Sequence, residues 1–211
     1  MTSSHAPVDD RHRERLRDHA AGVWSATSRY AAVLVLLVAI FVYFSATQDN
    51  FLTRPNLENL LTSVSILFIV SIGMTFVVLT GGIDLSVGSL LALSGIILSQ
   101  LFNGAGLPAW LAVVLTVLAG GIIGGGVNGV LIGRVGLSFF VVTLGTLSLY
   151  RGIVNIWSDT KTTYITSPFL DFLGFGTFLG LPMPIWLMVV TFVVAGVILR
   201  WTYFGRDVYA V

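Results

Sequence analysis

The 211-residue sequence has no cysteine and one lysine, and its three histidines all fall within the first nineteen residues. Each scarcity excludes a kind of chemistry. Without cysteine there is no disulfide scaffold, no thiolate metal site and no cysteine nucleophile. The lone Lys161 stands in a Thr-Lys-Thr context. A Walker A loop places its lysine after a spaced glycine pair so that it reaches nucleotide phosphates, so this chain does not hydrolyse ATP by that route. His5, His12 and His19 recur every seven residues, but nothing beside them completes a metal site. No histidine remains for a Ser–His dyad or a zinc-protease motif in the apolar part of the chain. Charge is scarce too, at 10% of residues against about 25% in an ordinary soluble domain. The net charge of +1 gives no basic footprint for nucleic acid. No cofactor, metal or nucleic-acid partner is expected, and the chain reads as a non-catalytic component.

What the sequence does have is apolar length. It is 55% hydrophobic, with a mean hydropathy of +0.93. The apolar residues fall in runs of about 20 with few or no charges, the length needed to cross about 30 Å of hydrocarbon as helix. Six spans are expected, over 29–47, 59–80, 85–103, 108–132, 137–157 and 184–203. The fold class is therefore all-α, a polytopic membrane helix bundle.

Residues 1–28 read as a polar tail that mixes Arg11, Arg13, Arg15 and Arg17 with Asp9, Asp10, Glu14 and Asp18, and 29–211 as the transmembrane domain. Basic residues mark the cytoplasmic side. Putting both termini inside gathers eight of the eleven basic residues there: the four tail arginines, Arg29, Arg134, Arg200 and Arg206. The long connection 158–183 then faces outward. Its prolines, glycines and aromatics suit a short interfacial segment such as 169–178, and Trp157, Tyr164 and Trp186 sit where belt aromatics do.

Three stretches carry polar chemistry inside this apolar background. Thr80-Gly81-Gly82-Ile83-Asp84-Leu85-Ser86-Val87-Gly88-Ser89 interrupts two runs. Paired glycines free the chain to turn, and Asp84 is expected as the N-cap of the next helix, at the positive end of its dipole. Two readings stand side by side: a capped turn, or a broken-helix element lining a solute path. Asp84 is the only acid near the membrane core, which supports the second.

In the fourth span, Gly121, Gly124, Gly125 and Asn128 share one face at 100° per residue. Small residues at that spacing let helices approach closely, with Asn128 placed to hydrogen-bond across the contact. In the fifth span, Thr143, Thr146 and Tyr150 lie on one face, and Ser148, Arg151 and Asn155 on the adjoining one. Lipid would strand both sets, so this helix is expected inside the bundle or along a cavity, unless Arg151 merely snorkels to the outer interface. The candidate solute-pathway or gating residues are thus Asp84, Ser86, Thr143, Thr146, Tyr150, Arg151 and Asn155.

The segment Gly73-Met74-Thr75-Phe76-Val77-Val78-Leu79-Thr80-Gly81-Gly82-Ile83-Asp84-Leu85-Ser86-Val87-Gly88-Ser89 resembles the ribose/xylose-type ABC transporter permease family. The resemblance extends to Phe51–Leu60, to the stretch from Asn128-Gly129 through Thr143-Leu144-Gly145-Thr146 to Tyr150-Arg151-Gly152, and to Thr202–Ala210, covering about residues 30–211. It implies a permease subunit of an importer for a sugar or sugar-like solute in the bacterial cytoplasmic membrane. The partners it implies are a second permease copy, an ATP-binding cassette subunit that hydrolyses ATP, a periplasmic or surface solute-binding protein, and membrane lipid. Members of that family continue through a coupling loop and further spans, so the sequence is expected to hold the N-terminal part and not to transport alone. The competing readings are an ion-coupled secondary transporter and an inert membrane scaffold.

Overall fold

The computed structural model describes residues 31–210; the arginine-rich tail and its histidines lie outside the described residues. Helices occupy nearly all of it. They are α1 (Ala31–Thr47), α2 (Arg54–Leu79), α3 (Val87–Gly104), α4 (Ala109–Gly133), α5 (Phe139–Ser158), α6 (Pro168–Phe175), α7 (Met183–Trp201) and α8 (Tyr203–Ala210). Among the described residues, five helices, α2, α3, α4, α5 and α7, are long and apolar enough to cross a membrane, and α1 is a shorter apolar helix. These match the six expected runs to within a few residues, because apolar length decides both.

Contacts divide the chain between Leu57 and Glu58. In the first unit, Phe51 turns back onto the aromatic rings of α1, with centroids 5.4 Å from Phe41 and 5.8 Å from Phe44. In the second unit, α3 packs most extensively against α5 and next against α4, while α7 packs on α8 and α6. Phe68 of α2 meets Phe192 of α7, and Phe76 meets Phe204 of α8, at 5.9 Å and 6.2 Å.

The burial pattern is that of a membrane protein. Buried positions include Ser65, Ser89, Ser99, Thr116, Thr143 and Thr146, with few large aliphatics, while Leu67, Val117, Ile122 and Ile156 are exposed. Small polar residues let backbones approach where lipid gives no hydrophobic drive between helices. Their hydroxyls donate back along their own helices, as Ser65 does to the Leu61 carbonyl at 2.7 Å.

The long connection holds more structure than a single interfacial segment. Helix α6 stops at Phe175, and the expected continuation to 178 instead starts a two-residue strand, β1 (Thr177–Phe178), paired antiparallel with β2 (Leu181–Pro182). Leu179 and Gly180 both have positive φ, the conformation a two-residue hairpin turn requires. Trp186 Nε1 donates to the Phe178 carbonyl at 2.9 Å and ties the hairpin to α7.

Candidate functional site

The interrupted stretch at residues 80–89 is built by helix-end chemistry. Helix α2 stops in a Schellman motif. Gly81, at φ +73°, donates its N–H to the Val78 carbonyl, and Gly82 donates to Val77, both at 3.0 Å. Gly82 has a second reason to be glycine. A Cβ there would lie 2.6 Å from Cε1 of Phe139, whose ring covers the turn.

The cap of α3 is not Asp84, as the sequence suggested, but Ser86. Asp84 sits two residues upstream and closes an Asx turn: its Oδ1 accepts from the Ser86 N–H at 2.7 Å and from the Ser86 hydroxyl at 2.6 Å. The carboxylate still takes a backbone N–H at the positive end of the α3 dipole, as expected. The turn places the helix start two residues later than a direct cap would.

Ser86 is fully buried, and its hydroxyl also accepts from Asn128 Nδ2 of α4 at 3.1 Å. The chain of bonds fixes the amide's orientation. A hydroxyl has one proton, and that of Ser86 goes to Asp84. Asn128 must therefore present its NH₂ to Ser86, which leaves its carbonyl Oδ1 buried and unpartnered. Thr116 Oγ1 is the other such buried atom among the described residues.

Helix α4 is not uniform. Its segment Ile122–Asn128 forms π-helical turns, and these shift the face the glycines present. Of the four residues expected to pack together, Gly124 and Asn128 meet α3. A Cβ on Gly124 would touch Leu90 Cδ2 at 2.5 Å, and Gly120, one step earlier at the same spacing, faces Ser94 Oγ at 3.2 Å. Gly121 and Gly125 have no heavy atom within 4 Å of a built Cβ and border open space instead. A count of 100° per residue fails there because π turns advance the chain by less than an α turn does.

Helix α5 closes the group. Thr143 donates to its own Phe139 carbonyl at 2.8 Å and lies 3.4 Å from the Ile83 carbonyl of the turn. Thr146 donates to Val142 at 3.0 Å. The Tyr150 hydroxyl donates to the carbonyl of Ile123, in the π segment, at 3.2 Å. These three are buried on one face, as expected. The adjoining face is not: Ser148, Arg151 and Asn155 are exposed. Arg151 borders a separate small cleft of about 360 Å³ with Leu85, Gly88, Ser89 and Leu147. Of the two expectations for this helix, one polar face lies inside the bundle, while on the adjoining face Arg151 borders a cavity and Ser148 and Asn155 are exposed, because α3 and the π segment of α4 cover only one side of α5.

Between the turn, α4 and the start of α5 lies a cleft of about 580 Å³, bordered by Thr80, Asp84, Asn128, Phe139, Thr143 and the α4 glycines. Of the candidate pathway residues it brings together Asp84 and Thr143, with Asn128 beside them, and leaves Ser86, Thr146, Tyr150, Arg151 and Asn155 outside its lining. Among the described residues no group of His, Cys, Asp or Glu could hold a metal ion. Sequence reasoning missed Thr80 and Phe139 as lining residues. Thr80 read only as the edge of a turn, and Phe139 as one apolar residue among many.

A family model described as branched-chain amino acid transport system permease component matches residues 56–211. The L-arabinose ABC transporter permease protein of Azospirillum brasilense is 41% identical over 194 residues, covering 90% of this chain and 55% of that protein. The ribose import permease protein of Haemophilus influenzae is 39% identical over 183 residues, covering 84% of this chain and 54% of that one. The D-allose transport system permease protein of Escherichia coli is 32% identical, covering 86% and 56%. The chain thus spans somewhat over half the length of these relatives. No solved structure matches.

Proposed function

The chain belongs to the branched-chain amino acid transport system permease component family, and from that membership we propose that it is part of the membrane subunit of an ABC importer for a sugar or sugar-like solute, seated in the bacterial cytoplasmic membrane. The observation that carries the reading is that similarity to arabinose, ribose and allose permeases runs over more than four-fifths of this chain, including the turn at Asp84. A bundle with apolar residues outside and small polar residues inside suits it.

Under this reading ATP is hydrolysed by a separate ATP-binding cassette subunit. A solute-binding protein delivers the solute, and a second permease copy completes the pathway. Both termini face the cytoplasm, which puts the Asp84 turn, the end of α4 and the start of α5 at the inner mouth. Asp84, Ser86, Thr143, Thr146, Tyr150, Arg151 and Asn155 are proposed to line or gate the solute path, with residues 29–211 forming the permease part.

The test is co-expression with the ATPase and binding protein of a sugar importer. Co-purification with the ATPase, and uptake that needs ATP and survives an uncoupler, are expected. Uptake abolished by the uncoupler but indifferent to the ATPase would instead favour an ion-coupled carrier. A stable chain that binds no ATPase would favour a scaffold.

A further inference from the structure

The cleft beside Asp84 has a property that the identities of its residues alone do not show: its hydroxyls give their protons to the protein itself. The Thr80 hydroxyl donates to the Val77 carbonyl at 2.8 Å. The Thr143 hydroxyl donates to Phe139. The Ser86 proton is held by Asp84, and the Asn128 amide by Ser86. Apart from the second Nδ2 proton of Asn128, what remains are acceptors: the lone pairs of the two threonines, Asp84 Oδ2, which has no hydrogen bond among the described residues, and Asn128 Oδ1. The last is the independent sign of a missing partner. Asn128 is 7% exposed, and its carbonyl oxygen has no donor among the described residues. A buried acceptor left unpaired is costly, and it borders the cleft. Among the described residues, no lysine, arginine or histidine borders this cleft; Arg151 lies on the other one.

We propose that this cleft is a solute subsite that admits ligands rich in hydrogen-bond donors and rejects negatively charged ones. It deepens, and rests on, the reading of the chain as part of a sugar permease. The chemistry follows from the lining. A polyhydroxyl solute brings several O–H donors to a wall of acceptors. A carboxylate or phosphate meets mostly acceptors and the charge of Asp84, with no positive group among the described lining residues to offset the repulsion. The volume of about 580 Å³ falls inside the roughly 300–1,000 Å³ typical of small-molecule sites, which are mostly apolar with a few placed polar groups. Here the glycines and Phe139 supply the apolar wall. Specificity of this kind is strong, because a site built to pair with donors leaves its own groups unpaired when the donors are missing.

The experiment uses the full chain in lipid nanodiscs and saturation-transfer NMR, which reads weak binding directly. The probes are L-arabinose and its acid, L-arabinonate, at equal concentration. Transfer to arabinose is expected, with transfer to arabinonate at least tenfold weaker. Asp84→Asn keeps an acceptor and removes the charge, so it should raise the arabinonate signal toward that of the sugar. Gly125→Phe fills the cleft from a position with nothing within 4 Å of a Cβ and should abolish both signals while the circular dichroism stays helical. Equal signals for the two probes in the wild type, no sugar signal at all, or a sugar signal that survives Gly125→Phe would each overturn the subsite. A chain that couples to the ATPase but shows no cleft-dependent sugar signal loses this inference and keeps the permease reading. A cleft-dependent signal without ATPase association does the reverse.

Discussion

Removing one hydroxyl from the site should cost more than removing its neighbour's whole amide. Ser86 gives its proton to Asp84 and accepts from Asn128. In Ser86→Ala the Asn128 amide loses the one bond that holds it, and its carbonyl is already unpartnered. The side chain is then orphaned at both ends while 7% exposed. A buried polar group left unpaired costs about 1–3 kcal/mol, more than the roughly 0.6 kcal/mol of an average interhelical hydrogen bond in a membrane protein. Asn128→Leu is nearly isosteric and removes both the bond and the unpaired carbonyl, so its cost should stay below about 1 kcal/mol, since replacing a poorly satisfied polar group by an apolar one is often close to neutral. In the double variant no orphan remains. Ser86→Ala should therefore cost at least about 1 kcal/mol less in the Asn128→Leu background than in the wild type, a coupling expected only between groups in contact. The four proteins can be compared by reversible unfolding in mixed micelles with rising dodecyl sulfate, followed by far-ultraviolet circular dichroism. Additivity to within about 0.3 kcal/mol would refute the bond pattern, and so would an Asn128→Leu variant that is the less stable of the two singles.

The glycines of α4 should separate by position in the same assay. Gly124→Ala drives a methyl against Leu90 and should cost about 1–3 kcal/mol by overpacking, whereas Gly121→Ala enters open space and should be neutral or stabilising by up to about 1 kcal/mol. Gly81→Ala holds an L-residue at φ +73° and should cost about 1–2 kcal/mol; a smaller loss than Gly121→Ala would contradict the Schellman ending of α2. Tyr150→Phe removes the bond to the Ile123 carbonyl and should cost up to about 1.7 kcal/mol, visible as lower resistance to dodecyl sulfate. Gly205→Ala places a methyl against the backbone carbonyls of Ile198 and Leu199, where no side chain can yield. It should loosen α8 from α7, read as faster proteolysis after residue 202 with the rest of the chain intact.

The division between what the sequence showed and what it hid follows from the range of the forces involved. Bilayer-spanning length is a local property of the chain, so the spans were legible to within a few residues from apolar runs alone. So was the turn at Gly81, because a left-handed backbone and a helix end both select glycine locally. The burial of Thr143, Thr146 and Tyr150 followed from helical periodicity. The glycine face of α4 did not, since the periodicity itself changes: Ile122–Asn128 winds as π turns, and no residue there announces it. The cap was misplaced for a related reason. An aspartate before a helix can cap it directly or form an Asx turn, and the Ser86 that closes the turn here is also held by Asn128, forty-two residues further along the chain. Direction of donation was also out of reach. Thr80, Ser86, Asn128 and Thr143 read as hydroxyls and an amide able to give or take; only the three-dimensional bond chain commits the hydroxyl protons and one amide proton within the protein. Arg151 marks the limit from the other side. The sequence placed it on a polar face that lipid cannot satisfy, and the fold leaves that face open. A guanidinium so deep in a span needs water or a protein surface beside it, and α3, the one described helix bordering it in its cleft, supplies no counter-charge there.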